Sequence, residues 1–212
     1  MPRISAKICG LSTPDSVGAA VRHGASHIGF VFFPKSPRHV TAEQMQALAA
    51  GVPGHVAKVA VLVDPDDELL AAVAPAVDVV QLHGAETAER VAAIGHATGL
   101  EVWKAISVRT RADLTAAPSY RGAAQRILYD AKPPVGADLP GGLGLRFDWA
   151  LLTDFGHPLP WALSGGIDIA NVARAVTTTG ASLVDISSGV ESAPGVKDVD
   201  KIAAFLKAIA SL

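Results

Sequence analysis

Short apolar runs rich in β-branched residues alternate along the chain with alanine-rich segments of helical period. That alternation is the pattern of repeated βα units. The runs predict strands at Ile4 to Ile8, His27 to Phe32, Ala57 to Val63, Val77 to Leu82, Glu101 to Ile106, Arg126 to Tyr129, Pro160 to Leu163 and Ser182 to Ile186. The intervening periodicity predicts helices at Pro14 to Arg22, Ala42 to Ala50, Asp66 to Val73, Ala85 to Ala97, Arg111 to Ala116, Ile169 to Val176 and Val199 to Ala210. Start signals support several of them: Ser12 or Thr13 before Pro14, Thr41 with Gln44 three residues on, and Asp168 ahead of its helix. The strands are apolar nearly throughout, as expected where one face meets helices and the other a packed barrel interior. About eight units of roughly 26 residues suit a single-domain (β/α)8 (TIM) barrel spanning 1–212, near the short end of its size range. A doubly wound open sheet is the rival. It would want a glycine-rich turn after the first strand, which Gly10-Leu11-Ser12 does not supply.

Composition narrows the function. With 18 basic against 20 acidic residues the net charge is −2, and no basic block marks a nucleic-acid binder. No apolar stretch is long enough to span a membrane, and the start of the chain lacks the apolar core of a signal peptide. A cytoplasmic protein is expected, and the single cysteine fits a reducing compartment.

In a barrel of this kind, chemistry sits at the carboxyl ends of the strands. The residues there able to carry it are Cys9, Arg38, Gln81, His83, Asp130, Ser164, Asp185 and Ser187. Cys9 can be a small buried apolar residue or a base. A thiol with an ordinary pKa of about 8.5 is mostly protonated at neutral pH, so the second role needs a nearby positive charge, which Lys7 on the same strand face can supply. Asp130 can be a loop cap or a general acid whose proton is retained by burial or by a neighbouring anion. Arg38, on a loop stiffened by Pro34 and Pro37, can form a surface ion pair or grasp a carboxylate through two parallel hydrogen bonds. Ser164-Gly165-Gly166 and Ser187-Ser188-Gly189 follow the seventh and eighth strands, where such barrels hold phosphate on backbone N–H groups. His83 is either a ligand contact or a structural histidine. Gly141-Gly142-Leu143-Gly144, in the long interval after Asp130, reads as a glycine-hinged lid. The seven histidines show no metal-binding spacing, so no metal is expected.

An acid and a thiol above a phosphate cradle point to proton transfer on a sugar phosphate. The ordered motifs Lys7-Ile8-Cys9-Gly10, Gly29 to Arg38 (GFVFFPKSPR), Val80-Gln81-Leu82-His83-Gly84, Phe147-Asp148-Trp149, Leu163-Ser164-Gly165-Gly166 and Val184 to Glu191 (VDISSGVE) go further. Over almost its full length the chain resembles the phosphoribosylanthranilate isomerases of tryptophan biosynthesis. The resemblance implies a cofactor-free Amadori rearrangement, with Asp130 as general acid, Cys9 as general base, Arg38 on the anthranilate carboxylate, the two small turns on phosphate and Asp185 near the sugar. It leaves a monomer or a homodimer open. Leu143 departs from the family's usual threonine in the lid, and His39 from a common tyrosine. Another sugar-phosphate barrel enzyme, such as a metal-using epimerase or a synthase on the same pathway, and a non-catalytic phosphate-metabolite sensor are the alternatives.

Overall fold

The computed structural model describes residues 4–134, 136, 137 and 139–212. Eight parallel strands close on themselves in chain order: β1 (Ser5–Cys9), β2 (His27–Phe32), β3 (Ala57–Leu62), β4 (Val79–Leu82), β5 (Glu101–Val108), β6 (Arg126–Ala131), β7 (Trp161–Leu163) and β8 (Leu183–Ile186). Pairing of Ser5 to Ile8 with Leu183 to Ile186 seals the cylinder, so the open-sheet alternative is excluded. Helices α1 (Pro14–Arg22), α2 (Ala42–Ala49), α3 (Asp67–Val73), α4 (Ala88–Thr98), α5 (Val172–Thr179) and α6 (Val199–Ile209) pack outside.

The uniformly apolar strands divide by the two-residue period of a pleated strand. Inward positions such as Val59, Val61, Val79, Trp103, Ala105, Leu128 and Ala162 form one cluster inside the barrel. Outward positions such as Ile8, Phe30, Leu62, Val80, Ile127, Tyr129 and Val184 belong to a second cluster shared with the helices. Lys7 and Cys9 stand on the inward side of β1, and Leu128 and Asp130 on that of β6. At the amino-terminal end of the strands the interior is plugged. Trp103 is fully buried, its ring centroid lies 5.1 Å from that of His27, and the Arg126 guanidinium sits 5.1 Å from the Trp103 ring.

Helix starts follow local chemistry. Thr13 with Ser16, and Thr41 with Gln44, form reciprocal caps at α1 and α2, and Asp66 and Thr87 cap α3 and α4. Several elements differ from expectation; α4 begins at Ala88, three residues after its predicted start, where Thr87 caps it. The segment Arg111–Tyr120 is a 3-10 run, not an α-helix. Pro118 supplies no N–H and disfavours α geometry at Ala117, and the N–H of Asp113 bonds to the carbonyl of Thr110 only three residues back. Helix α5 begins at Val172, three residues later than its predicted start. Asp168 does not cap it: Asp168 and Asn171 exchange backbone-to-side-chain hydrogen bonds of 2.9 and 3.1 Å, closing a turn ahead of the helix. After β8 a short hairpin, β9 (Glu191–Ala193) with β10 (Val196–Lys197), has no counterpart in the sequence reading. Between Ala131 and the 3-10 turn Trp149–Leu152 the described residues form no helix or strand, which is the predicted break.

Candidate active site

The carboxyl ends of the strands surround a cleft enclosing about 830 Å³, including its open mouth. Cys9, Arg38, His83, Asp130, Ser164, Gly165, Gly166, Asp185, Ser187 and Ser188 all line it. Gly189 does not; it lies behind Ser188, where a β-carbon would collide with the carbonyl of Ile167 in the other small turn. Leu139 to Leu145 form part of the wall, so the glycine-rich segment covers the cleft as a lid would.

Beneath the cleft, Cys9 and Lys7 share space that Gly29 leaves open. A β-carbon on Gly29 would stand 3.0 Å from Cys9 Sγ and 3.1 Å from Lys7 Cε. The Lys7 ammonium is fully buried and donates to Asp185 Oδ1 at 2.8 Å, while the Ser164 hydroxyl donates to Asp185 Oδ2 at 3.2 Å. Burial alone favours the neutral amine, but the Asp185 carboxylate and the Cys9 sulfur outweigh it and push Lys7 up to about 12. The lysine is therefore a permanent cation beside the thiol. Burial pushes the Cys9 thiol up, and the Asp185 charge adds to that; Lys7 and Lys197 pull the other way. The site resists forming the thiolate in the free protein yet keeps two ammonium groups ready to stabilise it.

Asp130 Oδ1 accepts the N–H of Ala131 at 2.8 Å, leaving Oδ2 turned toward His83 and Gly141. His83 Nε2 lies 3.3 Å from Oδ2 but out of line for a hydrogen bond. The loop that carries His83 is pinned by Glu86, a buried carboxylate that accepts the N–H groups of Asp64 and Gly84 and pairs with Lys104 at 3.0 Å. Sequence reasoning passed over this node, because its partners are brought by three different strands, Asp64 after β3, Gly84 after β4 and Lys104 within β5.

The two small turns meet at the cleft. Gly165 and Gly166 both have left-handed backbones, with φ of +86° and +60°, and a β-carbon on Gly165 would approach the Ala131 nitrogen to 2.7 Å. Only glycine makes this turn without strain. The Asn171 side chain secures it by donating to the Gly166 carbonyl at 2.9 Å. The Ser187 hydroxyl donates to the Cys9 carbonyl at 3.1 Å, tying the second turn to β1. Lys197 reaches Ser187 from the hairpin, donating to its carbonyl at 2.9 Å. No periodic signal marked this lysine, which is placed by an unpredicted hairpin.

Arg38 is 5 % exposed, so its ion pair is buried and not on the surface. Its Nε and Nη2 donate to the two oxygens of Glu191 at 2.7 and 2.8 Å, and Nη2 also donates to the Gly142 carbonyl of the lid at 3.1 Å. Burial pushes Glu191 up, but the Arg38 and Lys197 hydrogen bonds and charges prevail and hold its carboxyl below the usual range. With one edge of the guanidinium engaged by Glu191, Nη1 is left beside Gly142 at the cleft.

A carboxyl group, a thiol, two small turns and an arginine surround one cleft. Comparison with known proteins gives the chain that carries them a family. The family described as N-(5'-phosphoribosyl)anthranilate (PRA) isomerase matches residues 6–208. The chain belongs to that family. It is 56% identical over 208 residues to the N-(5'-phosphoribosyl)anthranilate isomerase of Zymomonas mobilis subsp. mobilis, covering 97% of this chain and 98% of that one. The enzyme of the same name from Paramagnetospirillum magneticum is 53% identical over 97% of this chain and 96% of its own. Among solved structures, phosphoribosyl anthranilate isomerase from Thermotoga maritima superposes with a TM-score of 0.88 at 35% identity, covering 99% of this chain and all of the other. A family structure in complex with reduced 1-(o-carboxyphenylamino)-1-deoxyribulose 5-phosphate gives a TM-score of 0.85 at 33% identity, with coverage of 99% and 100%. Among the described residues no helix is long and apolar enough to cross a membrane, and no group of three or more His, Cys, Asp or Glu side chains is arranged to hold a metal ion.

Proposed function

We propose that this cleft performs the family's reaction with Asp130 as general acid and Cys9 as general base. The reaction is the Amadori rearrangement of N-(5-phosphoribosyl)anthranilate to 1-(2-carboxyphenylamino)-1-deoxyribulose 5-phosphate, a step of tryptophan biosynthesis. The substrate phosphate sits against the Ser164-Gly165-Gly166 and Ser187-Ser188-Gly189 turns, with Lys197 adding positive charge beneath the second. The anthranilate carboxylate takes the guanidinium edge of Arg38 that Glu191 leaves free. Asp185 lies near the sugar and His83 beside the acid.

Asp130 protonates the furanose ring oxygen, the C1–O bond breaks, and the anthranilate nitrogen lone pair forms an iminium ion. Cys9 as thiolate removes the C2 proton, and the electron pair neutralises the iminium to give an enolamine. Transfer of a proton from the C2 hydroxyl to C1 yields the ketone. Placed proton carriers are sufficient for each step, so no cofactor is invoked. Lys7 offsets the charge that gathers on sulfur, and Asp185 keeps Lys7 in place.

The observation that carries this reading is the presence of Cys9 and Asp130 in one cleft with both small turns and Arg38. Freshly formed phosphoribosylanthranilate is fluorescent; adding the purified chain should make the signal decay, with product formed in equal amount. No decay at micromolar protein would refute the proposal. The partner is thus a small molecule, and a cytoplasmic monomer or homodimer is the expected form. A family structure describes monomers generated from the dimeric Thermotoga maritima enzyme.

A further inference from the structure

Gln81 projects from β4 toward the barrel interior, lines the active cleft and is 1 % exposed. Its Nε2 lies 3.4 Å from His83 Nδ1, and among the described residues its Oε1 has no hydrogen-bond partner. His83 Nε2 is likewise unpartnered, although 3.3 Å from Asp130 Oδ2. Two buried polar atoms of one hydrogen-bonded pair are therefore stranded in the same cleft. A buried polar atom without a partner is destabilising in the free protein. Neighbouring cleft positions are filled by Val31, Val61 and Val63, so an apolar side chain would suit the packing better.

The stranded atoms have a definite character. If the Gln81 amide donates to Nδ1 of a neutral imidazole, the free atoms are an acceptor, Gln81 Oε1, and a donor, His83 Nε2–H. With the amide turned over, its carbonyl accepts from Nδ1–H, and the free atoms become a donor on Gln81 and an acceptor at His83 Nε2. Either way the pair offers one donor and one acceptor, the complement of an alcohol, which gives one hydrogen bond and receives another.

We propose that Gln81 and His83 form a pair that reads a hydroxyl of the substrate's pentose and holds that carbon chain beside Asp130. The proposal rests on the function above and deepens it. It makes Gln81 a substrate-positioning residue and gives His83 a specific partner in the sugar. A site built to hydrogen-bond a hydroxyl loses far more on losing that bond than an apolar contact would.

The test is Gln81→Met, which keeps the volume and removes both amide atoms. The ligand-free variant should fold and melt close to wild type, because the stranded Gln81 oxygen is removed while His83 Nδ1 loses its partner. Its dissociation constant for reduced 1-(o-carboxyphenylamino)-1-deoxyribulose 5-phosphate, measured by titration calorimetry, should rise at least tenfold. The kcat/KM for phosphoribosylanthranilate should fall by a similar factor, and affinity for inorganic phosphate should not change. Wild-type affinity for the reduced product analogue would overturn the inference. So would failure to fold or weakened phosphate binding, since each makes Gln81 a structural residue. If wild-type protein does not turn over phosphoribosylanthranilate, the proposed function fails; if it does and Gln81→Met binds the analogue unchanged, only this inference fails.

Discussion

Gly29→Ala tests whether the placement of the sulfur matters to the chemistry. Gly29 pairs with Cys9 across β1 and β2. The added carbon would lie 3.0 Å from Cys9 Sγ, 3.1 Å from Lys7 Cε and 3.2 Å from the Cys9 Cα. Comfortable carbon contacts start near 3.5 Å, so about 0.5 Å must be found. The Cys9 Cα is fixed in a closed sheet, so the thiol and the lysine stem must move. Overpacking of this kind costs about 1–3 kcal/mol of stability. Because a misplacement of about 1 Å in a reacting group can cost 10²-fold, a shift of half that size predicts a loss of about tenfold in kcat. KM should change little, since the small turns and Arg38 lie on other elements. Steady-state kinetics by substrate fluorescence, with a urea melt to confirm folding, measures both. A folded Gly29→Ala protein with wild-type kcat would show that the thiol's position is not critical, and the assignment of Cys9 as base would fall with it.

The other predictions concern the proton carriers and the barrel floor. Cys9→Ala and Asp130→Asn should each lower kcat by at least about 10²-fold with the melting temperature little changed; normal turnover in either removes that residue from the chemistry. Because burial raises the Cys9 thiol and the thiolate is the active form, kcat/KM should climb with pH on the alkaline side. Lys7→Met with Asp185→Asn should move that limb to higher pH, because the pull of Lys7 on the thiol is the larger of the two influences removed; an unmoved limb refutes the role of Lys7. Arg38→Ala should chiefly raise KM, and unchanged kinetics would return Arg38 to a structural pair with Glu191. Burial, with Lys7 and Arg126 nearby, depresses His27 to about 4 from an ordinary 6.5. The unfolded chain therefore binds the extra proton first, and stability contributed above pH 6.5 is lost as pH falls toward 4, by about 3 kcal/mol at 1.36 kcal/mol per pKa unit. Urea melts of His27→Gln should show a flatter pH dependence across that window than wild type; an equal slope would reject the explanation.

The fold was legible where one local signal sufficed. Eight apolar runs marked eight strands because a barrel strand is buried on both faces, and Cys9, Asp130 and the two glycine turns stood out because they end or follow those runs. Legibility failed where the cause lay elsewhere in the chain. Glu191 meets Arg38 across 153 positions, and Lys197 reaches the site only through a hairpin too short to leave a pattern. Asp168 misled because a turn closed with Asn171 and a helix cap use the same residue types. Gln81 drew notice for its place at a strand end. Its unpaired oxygen, by contrast, exists only once His83 is set beside it.

Among the described residues, the plug of His27, Trp103 and Arg126 closes the amino-terminal end of the barrel and leaves the cleft as its doorway. Reactant and product must use the same passage in opposite directions, and Arg38 is bonded to the strap across it through the Gly142 carbonyl. A strap that opened to admit and to discharge would break that bond twice in each cycle. A single neutral acceptor on an arginine suits such traffic, being strong enough to keep water out during proton transfer and weak enough to release on the timescale of turnover.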